Sequence, residues 1–218
     1  AKTYTGDITL NSGAVWNETG VSTYDIAASL INNATTFNAS TGVHTFSGTA
    51  ETISGSTTTS IPSVAVTGTY TNSGTLTVAT ALSGAGTLTN SSTGTLNIVG
   101  TVGTCSITSL ANVGTISKTG SGTITTALAS LTNTGTFNAG GTGTISGITN
   151  NAGGVVNVTN TNTITSLNNA TSTSTVNISS LTYTITTLTT TTAGNTVNYT
   201  GSGDQTIKDQ DYGGNLGI

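Results

Sequence analysis

The side chains able to do acid–base, nucleophilic or metal chemistry are few and scattered. Carboxylates stand at Asp7, Glu18, Asp25, Glu51, Asp204, Asp209 and Asp211. Cleavage of a polysaccharide needs two carboxylates, or a carboxylate and a base, converging on one groove. No Asp or Glu occurs from residue 52 to residue 203, so no such pair can recur along most of the chain. Asp204, Asp209 and Asp211 are oxygen ligands of the kind Ca²⁺ takes, yet a solvated polar loop accounts for the same three residues. His44 is the only histidine, so a histidine-based metal site lacks its second ligand. A Ser-His-Asp triad would have to use that same ring, set in the strand-like phrase His44-Thr45-Phe46. Cys105 is the only cysteine. It can form no internal disulfide and reads as a small buried hydrophobe. No catalytic, cofactor-binding or metal-binding residue is assigned, and no enzyme activity is expected.

Composition narrows the partners. The basic residues are Lys2, Lys118 and Lys208, there is no arginine, and the formal net charge is −4. Binding to nucleic acid requires Lys or Arg to meet phosphates, so that class is excluded, as is an anionic membrane surface. No apolar run approaches the ~18 residues of a membrane span. Threonine is the commonest residue and the strong helix formers are nearly missing. Threonine is β-branched and stiff at its first side-chain torsion, which favours strands. A disordered chain would be rich in charge and poor in such residues, whereas only 5% of this one is charged.

The elements that would position any surface are set by an internal repeat. One phrase recurs at Thr75-Leu76-Thr77-Val78, Thr95-Leu96-Asn97-Ile98, Thr115-Ile116-Ser117-Lys118, Thr136-Phe137-Asn138-Ala139, Val155-Val156-Asn157-Val158, Thr175-Val176-Asn177-Ile178 and Thr196-Val197-Asn198-Tyr199. A second runs between its copies, from Thr104-Cys105-Ser106 through Thr123-Ile124-Thr125, Thr144-Ile145-Ser146 and Thr163-Ile164-Thr165 to Thr184-Ile185-Thr186. A third, looser phrase holds Leu110, Leu131, Ile148, Leu167 and Leu188. All three share a spacing of about 20 residues. Corners are expected at Asn72-Ser73-Gly74, Asn112-Val113-Gly114, Asn133-Thr134-Gly135, Asn151-Ala152-Gly153 and Ala193-Gly194-Asn195, because Gly and Asn tolerate the backbone torsions of sharp turns. Strands this short pair only when stacked, coil on coil, ~4.8 Å apart. The fold class is therefore all-β: a parallel β-helix, or β-solenoid, of about 20 residues and three short strands per coil.

Side chains alternate across a strand. Leu96 and Ile98 then point inward and Thr95 and Asn97 outward. Asn97, Asn138, Asn157, Asn177 and Asn198 should form a ladder whose amides bond along the axis, as in cross-β stacks. The second phrase presents outward threonines at Thr123, Thr125, Thr144, Thr163, Thr165, Thr184 and Thr186. Ranks of the Thr-x-Thr kind resemble those of ice-binding proteins, which makes ice binding the alternative function.

The chain divides by regularity. Residues 1–74 are expected to hold irregular coils and an N-terminal cap, and residues 75–218 regular coils with the last incomplete. Gln205-Thr206-Ile207 sits where a further second strand belongs, and Tyr212 to Leu216 where a third would follow. The runs Thr36-Phe37-Asn38-Ala39-Ser40-Thr41-Gly42-Val43-His44-Thr45-Phe46-Ser47-Gly48 and Gly194-Asn195-Thr196-Val197-Asn198-Tyr199-Thr200-Gly201-Ser202-Gly203-Asp204-Gln205-Thr206-Ile207-Lys208 resemble filamentous-haemagglutinin-like and autotransporter-like adhesins of bacterial cell surfaces. The resemblance implies a right-handed parallel β-helix, an extracellular or cell-surface location, and a role in adhesion or fibre formation. The expected function is a structural subunit or segment of a cell-surface fibre, sheath or adhesin. Its expected partners are copies of itself, the rest of a longer surface protein, or a glycan or surface ligand.

Overall fold

A computed structural model describes residues 2–100, 104–124 and 131–218. The chain winds as a parallel β-solenoid of about ten coils, with about 20 residues and three strands per turn. Every strand pairing is parallel and joins one coil to the next. Among the described residues there is no helix, and so none long and apolar enough to cross a membrane.

The first phrase forms the first face. Thr95–Ile98 pairs with Thr115–Lys118, which pairs with Thr136–Ala139, Val155–Val158, Thr175–Ile178 and Thr196–Tyr199 in unbroken register. Each of these strands alternates half-buried and buried positions. The second phrase forms the second face, where one inward column runs Tyr24, His44, Val64, Leu82, Cys105, Ile124, Ile145, Ile164 and Ile185. Cys105 is thus one rung of a column that extends well before it. The third face stacks Leu110 on Leu131 and Leu167 on Leu188. These columns merge into one continuous core.

The parallel ladder also runs through residues 2–74. Lys2–Tyr4, Tyr24–Ile26 and Val43–Phe46 stack in register on the second face, and Val15–Asn17 pairs with Thr36–Asn38 on the first. The phrases differ there because aromatic rings replace aliphatic side chains: Tyr4, Trp16, Tyr24 and Phe37 lie in contact, with centroids 5.9 to 6.1 Å apart. Among the described residues two register shifts occur, at Thr69/Tyr70 and at Val78/Ala81. Opposite the first, Ala50 adopts φ 62°, the signature of an extra residue in one strand.

Two expectations at the C-terminal end are corrected. Gln205-Thr206-Ile207 is not a strand. Gln205 instead donates from Nε2 to the carbonyls of Ile178 (2.7 Å) and Ser180 (2.9 Å), so its amide takes the place of strand pairing. The last strand is Asn215–Gly217, and it extends the first face by pairing with Thr196–Asn198 rather than the third. The corners are corrected too. Asn72, Asn112 and Asn133 are inward-facing last residues of strands on the third face, each at most 1% exposed. The turn begins after them. At that corner glycine is forced at Gly114, where a Cβ would lie 2.1 Å from the Ser91 carbonyl and 2.3 Å from that of Gly94.

Candidate functional site

Four polar constellations stand out, and the faces position each of them. The outward asparagines on the first face are half-buried. Asn157 donates to Asn138 Oδ1 at 2.8 Å, Asn177 to Asn157 at 2.9 Å and Asn198 to Asn177 at 2.8 Å. Asn97 lies apart from these four and donates to Thr77 Oγ1 (3.3 Å), while Asn138 reaches Ser117 Oγ (3.3 Å). The reason is register: position 117 holds serine, whose short side chain separates Asn97 from Asn138.

A second, interior ladder carries more bonds. Asn72 donates to Asn90 (2.8 Å), Asn90 to Asn112 (2.9 Å), Asn112 to Asn133 (2.7 Å), Asn133 to Asn150 (2.8 Å) and Asn150 to Asn169 (2.9 Å). Each of these Nδ2 groups also donates to a backbone carbonyl at the start of the next coil's first-face strand: Thr95, Thr115, Thr136, Val155 and Thr175 in turn. Buried amides are costly unless paired, and here each amide links its own third-face strand to the following corner. The sequence signal was present as Asn two or four residues before a recurrent glycine, but at Asn72, Asn112 and Asn133 it read as a turn. The ladder begins at Asn72, whose Oδ1 is buried with no partner among the described residues. After the register shift, Ile53 occupies the place below it.

The third constellation is the amine of Lys118. In register it falls at the inward position between Ile98 and Ala139 and is 1% exposed. The small Ala139 leaves room for it. Nζ donates to the carbonyl of Gly120 (2.8 Å), to that of Thr142, and to Asn162 Oδ1 (3.2 Å). Burial pushes its pKa down. The fourth is a buried pair near the start of the chain. His44 Nε2 lies 3.0 Å from both oxygens of Glu18, with the two side chains 1% and 3% exposed. Glu18 also accepts from Trp16 Nε1 (2.5 Å) and from the Ser40 amide (2.7 Å). Burial alone raises its pKa, but the hydrogen bonds from His44, Ser40 and Trp16 outweigh burial and hold it below the usual value. Reading His44 from sequence as an isolated histidine missed this partner, because Glu18 lies 26 residues away and is brought in by coil stacking.

The outward threonines of the second face are less regular. Thr144, Thr163 and Thr184 share one rank, and Thr123 precedes them beside Ile124, which pairs with Ile145. In the neighbouring rank Thr165 and Thr186 are exposed, Ser146 takes the preceding place, and Thr125 lies outside the described residues. Asp204, Asp209 and Asp211 are exposed. No group of three or more His, Cys, Asp or Glu able to hold a metal occurs among the described residues. Cys105 is fully buried, and burial pushes its thiol up to about 12.

Comparison of the chain with protein-family models, with curated proteins and with solved structures gave no match. What the arrangement offers chemically is therefore argued from its own geometry. That geometry binds coil to coil: each polar constellation makes hydrogen bonds between neighbouring coils.

Proposed function

We propose that the chain is a structural rod, a subunit or segment of an extracellular cell-surface fibre, sheath or adhesin that associates with copies of itself through its faces or coil ends. One observation carries this reading. Between Glu51 and Asp204 the only formal charge is the amine of Lys118, and that amine is internal. The faces built by residues 52–203 are therefore uncharged. Surfaces without net repulsion approach closely, and short Thr and Asn side chains held in axial ranks present a flat, stiff surface for such contact.

The adhesive form of the reading places ligand contacts, to a glycan or another surface, in residues 1–74, where seven aromatic or imidazole rings replace the aliphatic pattern. Ice binding has less support. On the second face, among the described residues, a full Thr-x-Thr pair around the buried isoleucine occurs in only two adjoining coils, at 163–165 and 184–186.

Electron microscopy combined with light scattering over a concentration series tests the proposal. Filaments or sheets that persist in high salt are expected, because the contacts are not charge pairs. A monodisperse monomer at every concentration overturns self-association. Binding of that monomer in a glycan array would leave only the adhesive form standing.

A further inference from the structure

We propose that Glu18, His44 and Trp16 form an acid-releasable joint between the coil of residues 2–20 and the coil that follows it, so that acid frees residues 2–20 while the later coils stay folded. The geometry is that of a donor cage around one carboxylate. Glu18 takes hydrogen bonds from Trp16 on its own coil and from the Ser40 amide and His44 on the next. His44 Nδ1 in turn faces the Gly42 carbonyl at 3.1 Å. Both ring nitrogens thus face oxygen acceptors, which only the doubly protonated ring can serve. Protonating Glu18 places a hydroxyl donor among donors and leaves a buried imidazolium without its counter-charge. Breaking a buried pair from one side is strongly unfavourable.

The effect is local because burial is uneven. The Glu18 side chain is buried, but no residue of 2–20 is buried over its whole surface, whereas Ile26, Ala28, Leu30 and Asn32 on the next coil are. Segments with little buried surface open at lower free energy than the core. Besides three short strand pairings, residues 2–20 are held by exposed side-chain bonds of Gly13, Asp7 and Asn17 to the next coil, by Tyr4 and Ile8 packing on the core, and by ring contacts of Trp16 with Phe37 (5.9 Å) and Tyr24 (6.0 Å) and of Tyr4 with Tyr24 (6.0 Å). The other ionisable groups around the joint are Tyr24, stacked on His44 at 5.3 Å, Tyr4 beyond it, and Lys2, whose amide donates to the Thr23 carbonyl. Asp25 is turned to Ser47, and Asp7 and Glu51 to Ser29. The direction follows from Glu18. A carboxyl held below its unfolded value stabilises above that value, about 4.3 for glutamate, and the contribution disappears as pH falls through the folded one.

Trp16 is the only tryptophan, so its emission reports the joint without labelling. The experiment follows Trp16 fluorescence through an acid titration, with peptide-level hydrogen exchange corrected for intrinsic rates. The expected result is an emission change below the ordinary glutamate range, accompanied by loss of protection in residues 2–20 while residues 155–199 stay protected. Glu18→Gln should give the acid-state emission and exchange at neutral pH, and Asp25→Asn should titrate as the parent does. Simultaneous loss of protection in 2–20 and 155–199 overturns the proposal. So does an unchanged Trp16 signal through the titration, or a Glu18→Gln protein that keeps the parent's transition.

Discussion

Replacing Asn150 by alanine should destabilise the solenoid far more than the same change at Asn157, although both side chains sit in amide ladders. Asn150 is completely buried. It accepts from Asn133 (2.8 Å) and donates to Gly154 O (3.1 Å), Asn169 Oδ1 (2.9 Å) and Thr175 O (2.9 Å). Removal leaves Asn169 Oδ1 buried without its donor, which costs about 1–3 kcal/mol. Loss of the bonds to the two backbone carbonyls adds about 1 kcal/mol each. The sum is about 3–5 kcal/mol. Asn157 makes two ladder bonds, to Asn138 and from Asn177, but its rank is half-buried and water replaces what is lost. Its cost should stay near 1 kcal/mol. Denaturant unfolding of both variants beside the parent measures the difference. A solenoid is quasi-one-dimensional and can unfold in parts, so hydrogen exchange at Thr175–Ile178 serves as the local readout. Equal losses for the two variants, within about 0.5 kcal/mol, would refute the argument that burial decides what an amide rung contributes.

Other consequences are as direct. Cys105 in the folded protein should resist alkylation by iodoacetamide at neutral pH and react only after unfolding, since its thiol is buried and pushed up to about 12; fast labelling of the native protein contradicts this placement. Lys118→Met should cost about 1–3 kcal/mol by leaving Asn162 Oδ1 without the amine, read by denaturant unfolding. The parent should also gain stability relative to that variant as pH rises toward the unfolded lysine value of about 10.4. Burial lowers the folded value, so the unfolded chain holds more protons in that window. Gly114→Ala should disrupt the corner outright, because the added Cβ meets backbone oxygens of residues 91 and 94 that no rotamer can move; a parent-like melting curve would exclude that packing. Tyr70→Phe should cost about 1–3 kcal/mol, because the buried hydroxyl donates to the Ile26 carbonyl (2.6 Å) and accepts from the Gly48 amide (3.1 Å), as thermal unfolding would show.

The period, the strand class and the inward and outward assignments along residues 75–199 were legible in the sequence. They depend on a local rule, the alternation of side chains along a strand, and on a repeat that composition alone does not produce. Leu96, Ile98 and the isoleucine column from Ile124 to Ile185 needed no tertiary information. The outward asparagines could be placed for the same reason.

What the tertiary structure decided concerns contacts made across coils and positions where residue type and role diverge. Asn112 and Asn133 carry the composition of a turn, but stacking turns them inward and makes them rungs, since a buried amide with three or four partners is as well served there as in water. Lys118 occupies an apolar place in the repeat, and only the cage formed by Gly120, Thr142 and Asn162 explains how a cation is held inside. Register across coils in residues 2–74 is not legible in the repeat because Tyr24 and His44 fill a column that is later aliphatic. Glu18 and His44 meet only when the coil closes, because pairing at a separation of 26 residues depends on how many residues each corner takes up, and corner lengths vary from coil to coil.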